Sequence, residues 1–160
     1  IGHSVMRAAE LARDGLSRKR IVKEMEALIP KINTSFVIDT LTYLWKGGRC
    51  SGLSAMGANL LQLKPCIEVI EGTMKVGKKY RGSLERCLNA YVDERLTDLD
   101  KISPKRIFIT HTSQDEELVQ KIKEKIESKN YFEEVLVTSA GGTISCHCGP
   151  GTLGVVYIDK

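Results

Sequence analysis

Aromatic residues are scarce in this sequence, at 6% of its 160 positions. Proteins that bind nucleic acid commonly stack bases on aromatic rings and gather basic residues on one surface. Here the net charge is only +4. Basic residues such as Arg18, Lys19, Arg20 and Lys23 are spread along helical patterns. No nucleic-acid partner is therefore expected. No apolar run approaches the ~18 residues that a membrane span requires. Residues 1–15 have no basic start followed by an apolar block, so no signal peptide is expected. The five cysteines (Cys50, Cys66, Cys87, Cys146 and Cys148) are odd in number. They form no C-x₂₋₄-C pair matched by a second pair elsewhere, which argues against a disulfide framework and against zinc. The expected setting is reducing cytoplasm, with thiols acting as small apolar residues. Internal repeats, low-complexity segments and a paired nucleophile and base are also lacking.

What is present is ordinary globular composition, 42% hydrophobic and 28% charged, enough for a real core and room for a ligand cavity. Val5, Met6, Ala9 and Ala12 recur at helical spacing over residues 4–14, with Gly15 placed as a C′ glycine. Ser17 can cap a second helix carrying Ile21, Val22, Met25, Leu28 and Ile29, which Pro30 ends. Residues 33–39 read as a strand, and Thr40 as the cap of a short helix over Leu41–Lys46 stopped by Gly47-Gly48. Residues 54–61 read as a helix rich in small side chains. Lys64–Ile70 and Thr73–Tyr80 read as a hairpin turning at Glu71-Gly72. Ser83 opens a helix whose stripe (Leu84, Cys87, Leu88, Tyr91, Val92, Leu96, Leu99) runs to residue 99. Arg106–His111, a helix bearing Leu118, Val119, Ile122 and Ile126, and Glu133–Ser139 form a βαβ unit with parallel strands. Ser113 and Glu116 are spaced as a capping box for that helix. A glycine-rich stretch, 140–151, leads to a last strand, Leu153–Ile158. The fold class is α/β, a small mixed β-sheet covered by helices.

Two segments exceed core and cap roles. In Gly141–Gly154, glycines allow backbone N–H groups to converge on an anion, and His147 can donate to a carboxylate or phosphate. A tight turn feeding the last strand accounts for the same residues. Cys146-His147-Cys148 is a poor zinc site, because neighbouring side chains diverge. In Lys46–Ser51, Arg49 follows a glycine pair, where it can grip a carboxylate in bidentate fashion or reach back to helical carbonyls.

The run Phe36-Val37-Ile38-Asp39-Thr40-Leu41-x-Tyr43-Leu44-x-Lys46-Gly47-Gly48-Arg49, then Leu60-Leu61-x-Leu63-Lys64-Pro65, resembles the middle signature of the DegV family. Glu71-Gly72, Thr110-His111 and Gly142-x-Ile144-x-x-His147-x-Gly149-Pro150-Gly151-x-Leu153-Gly154 continue the resemblance to the end of the chain. The resemblance implies the second, tail-holding domain of a two-domain DegV fold, residues 32–160. Residues 1–31 would be helices closing or linking from a first domain that this chain lacks. It implies a long-chain fatty acid held in an apolar tunnel. Its carboxylate would be presented to the catalytic subunit of a fatty acid kinase for acyl-phosphate formation. On that pattern the lipid-binding residues are His147, Arg49, Gly48, Thr143, Ile144 and Gly149. The chain would be a carrier and no enzyme, without catalytic residue, cofactor or metal. It would work in the cytoplasm, with transient contact at a membrane surface allowed and self-association of the fragment through an open apolar tunnel expected. Cys50 stands where many members have isoleucine, and Cys146 and Cys148 where many have threonine. The competing reading is an enzyme or sensor that binds a phosphorylated small molecule at the His147 loop.

Overall fold

The computed structural model describes residues 1–48, 63–112 and 115–160. Helices α1 (Gly2–Arg13) and α2 (Arg18–Leu28) form a hairpin at the start of the chain. Gly15, at φ 79°, supplies the left-handed residue between them. β1 (Ile32–Val37) and the short α3 (Thr42–Lys46) follow. The predicted helix over 54–61 lies outside the described residues. β2 (Leu63–Ile70) and β3 (Thr73–Arg81) make the hairpin that the sequence announces. Its turn residues Glu71 and Gly72 both have positive φ, 52° and 74°, as a two-residue primed turn requires.

α4 (Leu84–Arg95) is capped by the Ser83 hydroxyl, which accepts from the Arg86 amide at 3.3 Å. It stops four residues short of the expected end, and Leu99–Lys101 form a separate 3₁₀ turn. Then come β4 (Arg106–His111), α5 (Glu116–Glu127), β5 (Glu134–Ser139), α6 (Gly142–Cys148) and β6 (Leu153–Ile158). Asp115 caps α5, accepting from the Glu117 amide at 3.0 Å. Ser113, the expected cap, lies outside the described residues.

The six strands form one mixed sheet in the order β3-β2-β1-β6-β4-β5. Among the described residues only β4 and β5 pair in parallel, with α5 lying between them in the chain. The last strand, β6, lies between β1 and β4 and is antiparallel to both.

The two faces of this sheet differ. On one, α4 and α5 bury Val37, Leu153, Val155, Ile107 and Ile109 to zero exposure, along with Leu88, Tyr91, Val92, Ile122 and Ile126. Burial holds the Cys66 thiol up at about 12 and raises that of Cys87, so both are inert core residues. On the other face the register places Val76, Ile67, Phe36, Gly154, Thr110 and Thr138 in one row. Met74, Val69, Thr34, Val156, Phe108 and Leu136 make the next. Apart from Ile67, Gly154 and Phe108, these residues are only half-buried. Helix α1 covers one part of this face. His3 lies edge-on to Phe108 and bonds the Val156 carbonyl oxygen through Nε2 at 2.9 Å. Glu10 accepts from Arg106 at 2.9 Å and from Lys105 at 2.6 Å, and Arg106 also reaches Glu134.

Candidate functional site

The glycine-rich stretch forms a helix rather than a tight turn or an open loop. Gly141 is the N-cap of α6, and the Ser145 and Gly149 amides are spent on the carbonyls of Gly141 and Ser145. Glycines at both ends hid a seven-residue helix whose middle contains none. Gly149, at φ 77°, closes it, with the Tyr43 ring packed over it. A Cβ at Gly149 would lie 2.2 Å from Tyr43 Cδ2, so α3 and α6 touch as closely as backbone allows.

Thr112, just beyond β4, fastens the far end of α6. Its hydroxyl donates to the Gly149 carbonyl oxygen at 2.5 Å and accepts from the Thr152 amide at 3.2 Å. The Thr152 hydroxyl in turn donates to the Cys148 carbonyl oxygen at 3.0 Å. Gly151, also left-handed at φ 78°, brings the chain against Asp39, whose carboxylate takes Lys64 Nζ at 2.5 Å.

His147 projects from α6 against the end of α3. A Cβ at Gly47 would lie 2.1 Å from His147 Nδ1, so the glycine pair makes room for the imidazole as well as ending the helix. Nδ1 of His147 is buried and has no hydrogen-bond partner among the described residues. Such atoms are rare in folded proteins, and each calls for an explanation.

Of the six residues predicted for the site, His147 and Gly149 lie where α6 packs on α3, against Gly47 and Tyr43, whereas Gly48, at φ 69°, is exposed. Thr143 and Ile144 point outward, Ile144 with 54% of its surface exposed. Arg49 lies outside the described residues. Sequence reasoning missed Tyr43, Gly47 as a seat for the histidine, and Thr112. Gly47 alone carried a signal, as the first of two adjacent glycines. Cys148 packs beneath α6, its thiol raised by burial, whereas Cys146 is exposed rather than packed under the loop. Among the described residues no group of His, Cys, Asp and Glu could hold a metal, and no helix is long and apolar enough to cross a membrane.

Phe36, Gly154 and Thr110 are neighbours in the first row of the half-covered sheet face. Thr110 and Thr138 bond one another through their hydroxyls at 2.9 Å. His147 is a half-buried imidazole whose Nδ1 is buried without a partner among the described residues.

The comparisons with known proteins agree on the chain's family. The model of the DegV family, described as uncharacterised proteins, matches residues 1–160, and the chain belongs to that family. It is 31% identical over 157 residues to a DegV domain-containing protein of Clostridium acetobutylicum, covering 98% of this chain and 54% of that one. A solved fatty-acid-binding DegV family protein from Thermus thermophilus superposes with a TM-score of 0.79 at 31% identity, covering 100% of this chain and 57% of that one. The Streptococcus pneumoniae fatty acid kinase (Fak) B3 protein, loaded with linoleic acid, gives a TM-score of 0.83 at 25% identity, covering 98% and 55%. The chain therefore spans a little over half the length of the relatives it matches.

Proposed function

We propose that this chain is the tail-holding part of a fatty acid carrier. A long-chain fatty acid lies with its tail on the half-covered sheet face and its carboxylate beside His147. It is then handed to a separate kinase for acyl-phosphate formation. The inequality of the two sheet faces carries this reading. One is sealed by α4 and α5, while the other is a half-buried apolar surface, and on α6 the buried Nδ1 of His147 has no partner among the described residues. Each buried methylene is worth roughly 0.8 kcal/mol, so the tail supplies most of the affinity and the head group only orientation. The relatives support it by what they bind: the Thermus thermophilus protein is a fatty-acid-binding protein, and the Streptococcus pneumoniae one is a fatty acid kinase component that holds linoleic acid.

On this reading His147 donates to the carboxylate, with Gly48, Gly149 and Arg49 around it and Thr143 and Ile144 at its rim. Residues 32–160 are the tail-holding domain and residues 1–31 the helices leading into it. The carrier works in the cytoplasm and leaves phosphoryl transfer to its partner.

Solvent extraction of the full-length protein followed by mass spectrometry tests the proposal. One acyl chain per protein, or uptake of added palmitate or oleate, is expected. A lipid-free protein that takes up neither, yet is stabilised against heat by a phosphorylated small molecule, would replace this reading with the competing one.

A further inference from the structure

We propose that the first turn of α1, with His3 set against Phe108, is the wall of the tail site and determines which acyl chain lengths fit. This inference rests on the carrier reading above. Along the second row of the open face, Thr34, Val69, Met74, Val156 and Leu136 are half-buried, whereas Phe108 is 7% exposed. The difference comes from α1. A Cβ at Gly2 would lie 2.9 Å from Phe108 Cζ and 3.1 Å from Cε1, so the helix rests on the ring as closely as a helix can. The centroids of the His3 and Phe108 rings are 4.7 Å apart at 82°. His3 is 2% exposed, and its Nε2 is committed to the Val156 carbonyl oxygen.

The other imidazole nitrogen, Nδ1, is buried without a hydrogen-bond partner among the described residues. Leaving it so is costly, and a leucine or phenylalanine would fill the volume without that cost. Burial lowers the His3 pKa, with Arg106 adding to the effect, so the ring stays neutral. A neutral ring edge packed against a phenyl ring backs the wall without placing a charge behind the tail. Glu10, held by Lys105 and Arg106, keeps the other end of α1 from lifting. The wall is thus fixed at both ends rather than yielding to a longer chain.

The test uses the delipidated full-length protein and saturated fatty acids of graded length, each competing with a fluorescent fatty acid. Phe108→Ala and the milder Phe108→Leu enlarge the site at the wall, and His3→Ala does so from the helix side. Each methylene newly accommodated adds about fourfold in affinity. The preferred length should move up by two or more carbons, with the ratio of long-chain to short-chain affinity rising at least tenfold. A merely structural role would weaken all lengths alike. An unchanged length profile in Phe108→Leu and His3→Ala, with binding intact, overturns the wall. Failure of the unaltered protein to bind any length overturns the carrier reading itself, and the wall with it.

Discussion

The Tyr91 hydroxyl donates to the Ser35 carbonyl oxygen at 2.8 Å while the Val155 amide donates to it at 3.0 Å, so a single phenol from α4 stands between β1 and β6. The Ser35 hydroxyl completes the set at 2.8 Å. The ring is wholly buried, and burial raises its pKa. The hydroxyl therefore remains protonated and able to donate throughout the physiological range. All of this lies on the sealed side of the sheet.

Tyr91→Phe should therefore destabilise the fold without altering lipid preference. It strands a buried carbonyl and a buried amide, each worth roughly 1–3 kcal/mol when unsatisfied. Denaturant unfolding should show a loss of about 2–4 kcal/mol at unchanged m-value. A loss below ~0.5 kcal/mol would mean that water or a neighbouring group replaces the hydroxyl.

Gly47→Ala separates the two roles of the glycine pair. Gly47 has φ −78°, so alanine meets no backbone strain. Its methyl group would instead displace the His147 ring. Fatty acid affinity should fall as far as in His147→Ala, while the melting temperature moves by only a few degrees. Equal affinity in Gly47→Ala and the unaltered protein would remove the imidazole position from the head-group site.

Acid should release α1 in two stages. Lys105 foremost, then Arg106 and Arg7, bring the Glu10 pKa down to about 2. A depressed carboxyl stabilises the fold above its unfolded value near 4.5 and loses that contribution as the pH falls from there towards 2. His3 is depressed by burial below 6.5. The folded state resists a proton that the unfolded chain accepts, so stability declines as soon as the pH drops under 6.5. Glu10→Gln should flatten the lower limb of a melting-temperature profile between pH 7 and 3 and leave the upper limb in place. Identical profiles would show that the ion pair does not hold the helix.

Thr112→Val should loosen α6 while leaving the sheet intact. The hydroxyl satisfies both the Gly149 carbonyl and the Thr152 amide in a buried setting. Its loss should cost roughly 1–3 kcal/mol and raise hydrogen exchange at Thr152 and Gly149 by about tenfold or more. Unchanged exchange at both amides would remove Thr112 as the fastener.

Much of the fold was legible because its local codes are strong. Glu71-Gly72 between two apolar runs dictates the β2–β3 hairpin, and the spacing of Val119, Ile122 and Ile126 dictates α5. α6 was not legible, because residues 142–148 have weak helix propensity and sit among glycines; the contacts of Tyr43 and Gly47 supply what propensity lacks. The position of β6 was also hidden, since strand pairing over more than 100 residues leaves no local trace. At the site, His147 could be picked out by type and motif. Its unpartnered nitrogen and its seat on Gly47 depend on α3 and α6 meeting, which no spacing rule reveals. The inequality of the sheet faces was equally obscure, because Ile32, Thr34 and Phe36 alternate with Asn33, Ser35 and Val37 with little contrast in polarity.

The place of β6 has a consequence for biogenesis. A ribosome delivers β1, β2 and β3, then β4 and β5, before the strand that joins them exists. Until Leu153–Ile158 emerges, β1 and β4 each present an open backbone edge, and such edges recruit foreign strands. The nascent chain is thus two unjoined half-sheets waiting for a keystone, and slow translation or early termination near residue 150 should send it to chaperones rather than to a folded state.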